Sequence, residues 1–275
     1  MHTHQHLEEF WSLFLREAFN TCFGGPELIF RGITNKDHSL IPSIGRHRRE
    51  YTENDISALE DTLLTEFKRL SVPELDTPPN NDFEWIFLAQ HYGLPTRLLD
   101  WSTNPLVALF FAVEKDDDTD GAVYIAKRSV TDQYELFDFR TANYTAEHKN
   151  APASIFAIQP TQGTVIFVRP KYKDRRYQNQ KSVFSCPQDP YTPLETDSMM
   201  KINFDKNLKP QLRERLKKMG VSTSFIYPGL AGIAAEVKSL NYDPVQSGKH
   251  QITTTTCYID LSAIQQNNND SPKNL

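Results

Sequence analysis

Cysteine is scarce in this chain of 275 residues, which contains three: Cys22, Cys186 and Cys257. The number is odd and the three lie far apart, so the sequence predicts neither a disulfide framework nor a metal-binding knuckle. Free thiols are typical of a reducing compartment. We therefore expect a cytoplasmic protein that needs no metal ion.

Long hydrophobic runs are absent as well. No segment approaches the ~18 consecutive uncharged apolar residues that suggest a membrane-spanning helix. The N-terminus does not show the basic segment followed by an apolar one that a secretory signal has. The sequence therefore predicts no membrane association.

An excess of positive charge is also missing, since the formal net charge is -5 and the pI is about 5.9. Any binding of nucleic acid must therefore come from local charge. The chain contains no Walker A sequence, no G-x-G-x-x-G, no H-E-x-x-H and no G-x-S-x-G. The familiar motifs of nucleotide, zinc and serine-hydrolase chemistry are thus excluded.

The chain does contain enough apolar residues, 39%, for a sizeable core. Hydrophobic periodicity predicts helices over residues 5–19, 54–70, 83–92, 105–113 and 210–219, and strands over 28–33, 122–126, 134–137, 164–168 and 257–261. Helices dominate early and strands later, which is typical of the α+β class. We expect one domain over residues 1–263, with 1–25 as an N-terminal helical extension and 264–275 as a disordered tail.

The most informative tripeptide is Phe30, Arg31 and Gly32, within a strand-like apolar run. Burying an arginine in such a run is costly unless the side chain faces a cleft and holds an anion. A glycine directly after it lets another molecule approach the backbone. The alternative interpretation is an arginine that reaches solvent before a turn glycine.

Longer segments carry a family resemblance. Residues 88–112, LAQHYGLPTRLLDWSTNPLVALFFA, resemble the central signature of the FRG-domain family, which is named for the tripeptide. Residues 176–184 and 227–234 also fit the family pattern. The resemblance extends over roughly residues 28–240.

The order of these segments also resembles the arginine-type mono-ADP-ribosyltransferases. Those enzymes carry Arg-Gly on a first strand, a Ser-Thr-Ser strand that leads into a helix, and a catalytic glutamate on a later strand. Residues 104–112, NPLVALFFA, are similar to their helix. The resemblance implies an ADP-ribosyltransferase-like split β-sandwich, with helices clustered in the N-terminal half, and NAD as the substrate.

Cleavage of nicotinamide from NAD passes through an oxocarbenium-like species, so an enzyme must hold the pyrophosphate and stabilise charge on the ribose. The resemblance implies that Arg31 binds phosphate or ribose, that the Gly32 backbone holds the nicotinamide amide, and that Ser102 supports the site. Helix capping is the alternative role for Ser102. Tyr92 and Phe184 are expected as further NAD contacts.

The sequence departs from the transferase pattern at Gln180, where a carboxylate is expected. Glutamine can hydrogen-bond a ribose hydroxyl but cannot act as a general base. Either His91 or Asp100 then supplies the base, or the acceptor needs little activation. Alternatively, His91 is a structural residue at a helix end, and Asp100 forms a buried ion pair with Arg97. The catalytic candidates are Arg31, Gln180, His91 and Asp100.

A basic segment precedes Gln180. Six basic residues and one acidic residue lie between Arg169 and Lys181, with Tyr172 and Tyr177 among them. Basic groups attract phosphates and tyrosines stack bases, so the segment is a candidate surface for single-stranded nucleic acid. A solvated loop is the alternative. The expected target contacts are Lys171, Lys173, Arg175 and Arg176.

Three functions are compatible with these features. The first is an NAD-dependent ADP-ribosyltransferase that modifies a macromolecule, with RNA favoured and protein as the other option. The resemblance implies a toxin or phage-defence role for it, with a neutralising antitoxin or immunity partner. The second is a non-catalytic nucleotide- or nucleic-acid-binding module. The third is a hydrolase or nuclease that uses His91 and Asp100.

Overall fold

A computed structural model describes residues 2–19, 28–46, 53–79, 82–127, 134–138, 165–170, 175–187, 189–195 and 199–243. The helices are α1 (His2–Phe19), α2 (Glu53–Ser71), α3 (Asp82–His91), α4 (Pro105–Val113), α5 (Arg175–Gln180), α6 (Lys209–Lys218), α7 (Thr223–Ile226) and α8 (Leu230–Val237). The strands are β1 (Leu28–Ile33), β2 (Leu99–Ser102), β3 (Gly121–Lys127), β4 (Tyr134–Asp138), β5 (Val165–Arg169), β6 (Ser182–Pro187) and β7 (Met199–Phe204). Short 3-10 turns lie at Ser43–Gly45, Val72–Glu74 and Lys206–Leu208, and a π-helical turn lies at Lys238–Tyr242.

The strands form one seven-stranded sheet in the order β4-β5-β6-β2-β1-β3-β7. In this order, every strand pair from β5-β6 to β3-β7 is antiparallel. The edge strand β4 runs parallel to β5. The predicted α+β class is confirmed. Helices are not confined to the N-terminal half, however, because α5 to α8 lie in the second half of the chain.

The two edges of β1 are paired very differently. Along β3, all six residues from Leu28 to Ile33 have partners. Along β2, the described pairing is limited to Phe30 with Ser102. In a continued antiparallel register Gly32 would face Asp100, but these residues are not paired, so the sheet opens between the two strands.

One face of the sheet is covered by α1, α4 and α6. The predicted helical periodicity of α1 is confirmed, since Leu7, Phe10, Trp11 and Phe14 are buried in one cluster with residues of all three helices. Burying each such side chain contributes about 1.5–3 kcal/mol. The predicted N-terminal extension therefore contributes to the main core.

Two further clusters lie around the β2–β6 half of the sheet. In the first, α2 and α3 pack on β5 and β6, and the ring of Phe87 stacks on that of Phe184 at 4.8 Å. The second contains Ile29, Leu99 and Trp101. Ile29 and Phe30 belong to different clusters because successive side chains of a strand point to opposite faces.

Three strands were not predicted from the sequence: β2, β6 and β7. Hydrophobic periodicity assigned no strand to residues 99–102, but they form β2 because β6 pairs with all four of them. The predicted strand over residues 257–261 lies outside the described residues. None of the described helices has the length and apolar character needed to cross a membrane.

The chain divides into two compact units, Met1–Ile233 and Ala234–Leu275. All strands and the helices from α1 to α7 belong to the first unit. The π-helical turn belongs to the second, where Asn241 donates a hydrogen bond to the Val237 carbonyl at 2.9 Å.

A candidate ligand site where the sheet opens

A cleft of about 710 Å³ lies at the opening between β1 and β2. This volume falls within the range of about 300–1,000 Å³ that is usual for small-molecule and cofactor sites. Segments distant in the sequence line it together. The lining includes these residues singled out by the sequence: Arg31, Gly32, Asp100, Ser102, Arg176 and Gln180.

Arg31 spans the opening. Its Nη1 donates a hydrogen bond to the backbone carbonyl of Asp100 and lies 3.9 Å from the Asp100 Oδ2 atom. The side chain is only 13% exposed, and its buried Nε has no hydrogen-bond partner among the described residues. Burial lowers the pKa of Arg31 and Asp100 opposes this shift, but a guanidinium keeps its charge in a protein. The cleft therefore contains a buried cation with an available donor.

The Asp100 carboxylate is held from the opposite side by Gln90. The Gln90 Nε2 donates to the Asp100 Oδ1 at 2.8 Å, and its Oε1 accepts from the Thr96 hydroxyl. The Thr96 backbone N–H in turn donates to the Ser43 Oγ at 3.0 Å. Gln90 is a cleft residue that sequence reasoning missed, because it was assigned only to a helix face.

Ser102 joins three elements. Its Oγ donates to the Gln180 carbonyl at 2.6 Å and accepts from the Asn104 backbone N–H at 2.9 Å. Asn104 itself caps α4, because its Oδ1 accepts from the Leu106 N–H at 3.0 Å. Ser102 is buried, so its hydroxyl serves to hold the ends of β2 and α5 beside the start of α4.

Gly32 brings β1 against α4. A Cβ atom at this position would lie 1.8 Å from the Ala108 carbonyl oxygen and 2.7 Å from the Ala112 nitrogen. Both neighbours are helix backbone and cannot move away as a side-chain tip can. Glycine is therefore required for the close packing of β1 on α4.

Gln180 ends α5 and has a fixed orientation. Its Nε2 donates a hydrogen bond to the Ile226 carbonyl at 3.2 Å, and its own backbone carbonyl accepts from Ser102. Lys181, with φ +49°, turns the chain from α5 into β6. A glutamate at position 180 could not donate to Ile226 when ionised, so the amide has a structural reason to be here.

A second group of cleft residues surrounds Arg176. Its Nη1 donates to the His91 carbonyl at 3.3 Å, and its guanidinium carbon lies 5.1 Å from the centroid of the Tyr227 ring. The Tyr227 hydroxyl donates to the Glu114 Oε1 at 2.8 Å. Burial, and then the neighbouring Glu114, raise the pKa of Tyr227. The phenol therefore remains a donor at physiological pH.

Three residues that were expected to contact NAD or to supply the base do not line the cleft. The His91 ring, at the end of α3, contacts the rings of Tyr92 and Tyr177, with centroids 5.0 and 5.4 Å away. Tyr92 is 72% exposed. Phe184 is buried under α3, because its position opposite Asp100 turns its ring to the face that this helix covers.

The basic segment is described only in part. Lys171 and Lys173 lie outside the described residues. Arg175 and Arg176 begin the short helix α5 and are not in a loop, because this part of the chain makes a helical turn before β6. Arg175 is exposed, whereas Arg176 turns toward the cleft.

Arg97 forms a buried ion pair, but its partner is Glu60 of α2. The Nε donates to the Glu60 Oε1 at 2.7 Å and the Nη2 to the Oε2, with side chains only 2% and 4% exposed. The predicted pairing with Asp100 is wrong. Arg97 lies at a bend before β2 and its side chain reaches Glu60 of α2, whereas Asp100 belongs to β2 itself.

Lys209 anchors the rim of the cleft and was missed by sequence reasoning. Its fully buried Nζ donates to the carbonyls of Thr34, Lys115 and Asp116 at 2.8, 3.1 and 2.6 Å. Burial lowers its pKa. Nothing in the sequence separates this lysine from the neighbouring exposed Lys206, because only the fold surrounds it with carbonyls.

Residues 26–121 match the FRG domain. The match includes β1, α3, β2 and α4, and therefore Arg31, Gly32, Asp100 and Ser102, but it ends before Gln180. Comparison with curated proteins and comparison with solved structures give no match. Among the described residues, no group of three or more histidine, cysteine or acidic side chains could hold a metal ion.

Proposed function

We propose that the cleft binds NAD and that the protein transfers ADP-ribose from it to a macromolecular target, with RNA favoured. The main support is that Arg31, Ser102 and Gln180 line one cleft at the opening of the sheet, although 149 positions separate the first from the last. In this proposal the opening between β1 and β2 corresponds to the split of an ADP-ribosyltransferase-like β-sandwich. The FRG domain match specifies no activity, so the proposal rests on the residues of the cleft.

The charge and shape of the cleft support a dinucleotide. Arg31, Arg46 and Arg176 line it together with four acidic residues, and Trp101 and Phe111 add aromatic surface. Guanidinium groups bind phosphate oxygens through two parallel hydrogen bonds, and these are stronger than neutral ones. The buried Nε of Arg31 is a donor of the kind that a pyrophosphate or ribose oxygen would accept.

Gln180 would contact the ribose next to nicotinamide. Its Nε2 is already committed to the Ile226 carbonyl, which leaves the Oε1 as an acceptor for a ribose hydroxyl. Ser102 keeps this end of α5 in place through the Gln180 carbonyl. Arg175, exposed on the same helix, would face an acceptor nucleic acid.

A non-catalytic nucleotide-binding module is the second candidate. It is favoured by Gln180, whose amide replaces the expected carboxylate and has a structural partner. The hydrolase or nuclease alternative needs His91 and Asp100 at one site. Of these two, only Asp100 is among the residues that line the cleft, so no observation favours that alternative.

The test is incubation of the protein with NAD labelled on the adenylate phosphate and with separate RNA, DNA and protein pools. Label on a macromolecule with release of nicotinamide supports the proposed transfer. Tight NAD binding without turnover supports the binding module. Strand scission in the absence of NAD would overturn both.

Arg31→Lys tests the site itself. A lysine retains the charge but not the planar fork of donors, so we expect NAD affinity to fall about ten- to a hundredfold, the equivalent of one charged hydrogen bond. Calorimetric titration measures the affinity, and thermal melting checks the fold. Arg16→Lys on the exposed surface of α1 is the matched control. Unchanged NAD affinity in a folded Arg31→Lys protein would remove Arg31 from the site.

A further inference from the structure

One carboxylate reaches the cleft along the helix α4. Ala108, Phe111 and Glu114 line the cleft at intervals of three residues, which places them on one helical face. Glu114 follows the last residue of α4 but keeps helical backbone angles, φ -59° and ψ -38°. The helix is buried along most of its length and is capped by Asn104. Glu114 is thus carried by a rigid element.

Glu114 is also oriented by a neutral donor. The Tyr227 hydroxyl donates to its Oε1 at 2.8 Å, and the Arg176 guanidinium packs over the Tyr227 ring. The second carboxylate oxygen receives no hydrogen bond from the described residues. No lysine or arginine of the described chain forms an ion pair with Glu114, so its negative charge is not neutralised by a direct cationic partner.

Three other carboxylates line the cleft, those of Asp37, Asp100 and Asp116, and the last two are engaged differently from Glu114. Asp100 accepts from Gln90, lies beside Arg31 and is 61% exposed. Asp116 accepts from the Thr34 hydroxyl at 2.5 Å. Of the four carboxylates, Glu114 is the one that the end of α4 carries and that a neutral phenol donor orients. This is the arrangement that suits proton removal.

We propose that Glu114 is the general base of the transfer reaction and that Tyr227 is its positioning residue, a role that rests on the proposed function. This assignment supplies the carboxylate that Gln180 lacks. The C1′–N bond of NAD breaks, and its electron pair passes to the ring nitrogen of nicotinamide, which leaves as a neutral molecule. An O–H or N–H group of the acceptor bonds to C1′. Its proton passes to the Glu114 carboxylate and then to water.

Glu114→Gln is the direct test. The glutamine can still accept the Tyr227 hydrogen bond and has nearly the same shape, so NAD affinity should not change. Single-turnover transfer of ADP-ribose should fall about 100-fold or more, the usual contribution of a general base. Glu195→Gln, at an exposed position, is the matched control. Asp100→Asn, assayed in the same way, tests whether Asp100 is the general base instead.

Glu114→Asp separates charge from structure. Aspartate keeps the carboxylate but shortens the side chain, so it disturbs the Tyr227 contact more than glutamine does. It should nevertheless retain more transfer than Glu114→Gln. Added formate should partly restore the rate of Glu114→Ala. A purely structural role for Glu114 predicts neither the activity of Glu114→Asp nor the rescue by formate. Tyr227→Phe, which removes the positioning hydrogen bond, should lower the rate of transfer without changing NAD affinity.

The outcomes distinguish this assignment from the function on which it rests. If the wild-type protein binds NAD and transfers label while folded Glu114→Gln and Glu114→Ala do so equally well, Glu114 is not the base. Loss of transfer in Asp100→Asn alone would reassign the base to Asp100. A wild-type protein that neither binds nor cleaves NAD would overturn the proposed function and this assignment together.

Discussion

Two regions of the molecule each bury an arginine, and they satisfy it in different ways. Between α2 and β6, Arg97 donates hydrogen bonds to both carboxylate oxygens of Glu60 and to the Pro187 carbonyl at 3.4 Å. At the opening of the sheet, Arg31 has a backbone carbonyl, a carboxylate at 3.9 Å and an unpartnered Nε in the described structure. The first arginine is saturated by the protein, whereas the second has donor capacity left for a ligand.

The surroundings of the two arginines also differ, because Arg97 is enclosed by protein and Arg31 borders a cleft. The bidentate Arg97–Glu60 pair is enclosed, and its two charges compensate each other away from water. Arg31 lies where β1 has left β2, beside a cleft large enough for a nucleotide. Burial of an arginine is therefore not enough to mark a candidate ligand site. Arg31 is a candidate because it has an unpartnered donor beside an opening of the sheet.

The largest effect that would test this comparison is expected from Glu60→Ala. Removing one member of a buried pair leaves the other charge uncompensated and costs about 3–5 kcal/mol of unfolding free energy. Urea unfolding measures the change. Glu66→Ala is the matched control on the same helix, because its pair with Arg69 is exposed and should contribute little to stability.

A paired substitution shows whether Arg97 has any role besides this ion pair. When both Glu60 and Arg97 are replaced by leucine, much of the lost stability should return, since apolar residues of similar volume often replace buried pairs without cost. NAD affinity should be retained in this double variant. If the double variant lost NAD affinity at unchanged stability, Arg97 would also contribute to ligand binding, and the contrast with Arg31 would be wrong.

The next largest effect is expected from Gly32→Ala, which acts on the cleft region. The new Cβ would meet the backbone of α4, and overpacking of this kind typically costs about 1–3 kcal/mol. Because β1 must shift, NAD affinity should fall as well. Thermal melting and calorimetric titration measure the two effects.

Gly121→Ala is the matched control for that substitution. Its Cβ would lie 2.2 Å from the buried ring of Phe204, so this substitution also overpacks the main core. Neither Gly121 nor Phe204 is among the residues that line the cleft, so stability should fall while NAD affinity stays unchanged. Equal losses of NAD affinity from both variants would show that Gly32 matters for packing volume and not for the position of β1.

The smallest effect is expected from Gln180→Glu. The substitution removes the hydrogen bond to the Ile226 carbonyl, a loss of about 0.5–1.5 kcal/mol measured by urea unfolding. Gln178→Glu, exposed on the same helix, is the matched control and should leave stability nearly unchanged. If Glu114 is the base, the new carboxylate at position 180 should not raise the rate of transfer.

Several features of the cleft were accessible from the sequence. The interruption of an apolar run by Arg31 marked a buried cation, and the resemblance to transferases connected it with Ser102 and Gln180. The helical periodicity of α1 and α4 predicted their buried faces, because local pattern and tertiary packing agree there. The FRG domain match agrees with the residues that carried the resemblance around β1, β2 and α4.

Other features could not be predicted. Gln90, Lys209 and the contact between Glu114 and Tyr227 depend on residues that are distant in the chain, and their side-chain types are ordinary at their positions. The partner of Arg97 was assigned wrongly because proximity in the sequence favoured Asp100. Buried polar groups choose partners by geometry, and geometry between distant segments is not contained in a local pattern.

The sequence by itself determined the α+β class, the main helices and the strand that carries Arg31, because hydrophobic periodicity and helix caps act over a few residues. Only the tertiary structure decided that β1 separates from β2 after one paired residue, and that Arg31, Gln180 and Glu114 meet at the resulting cleft. The physical reason is that strand pairing and burial are collective. Whether a strand such as β2 forms, and where its pairing ends, depends on free energies summed over neighbours that the chain brings together only on folding.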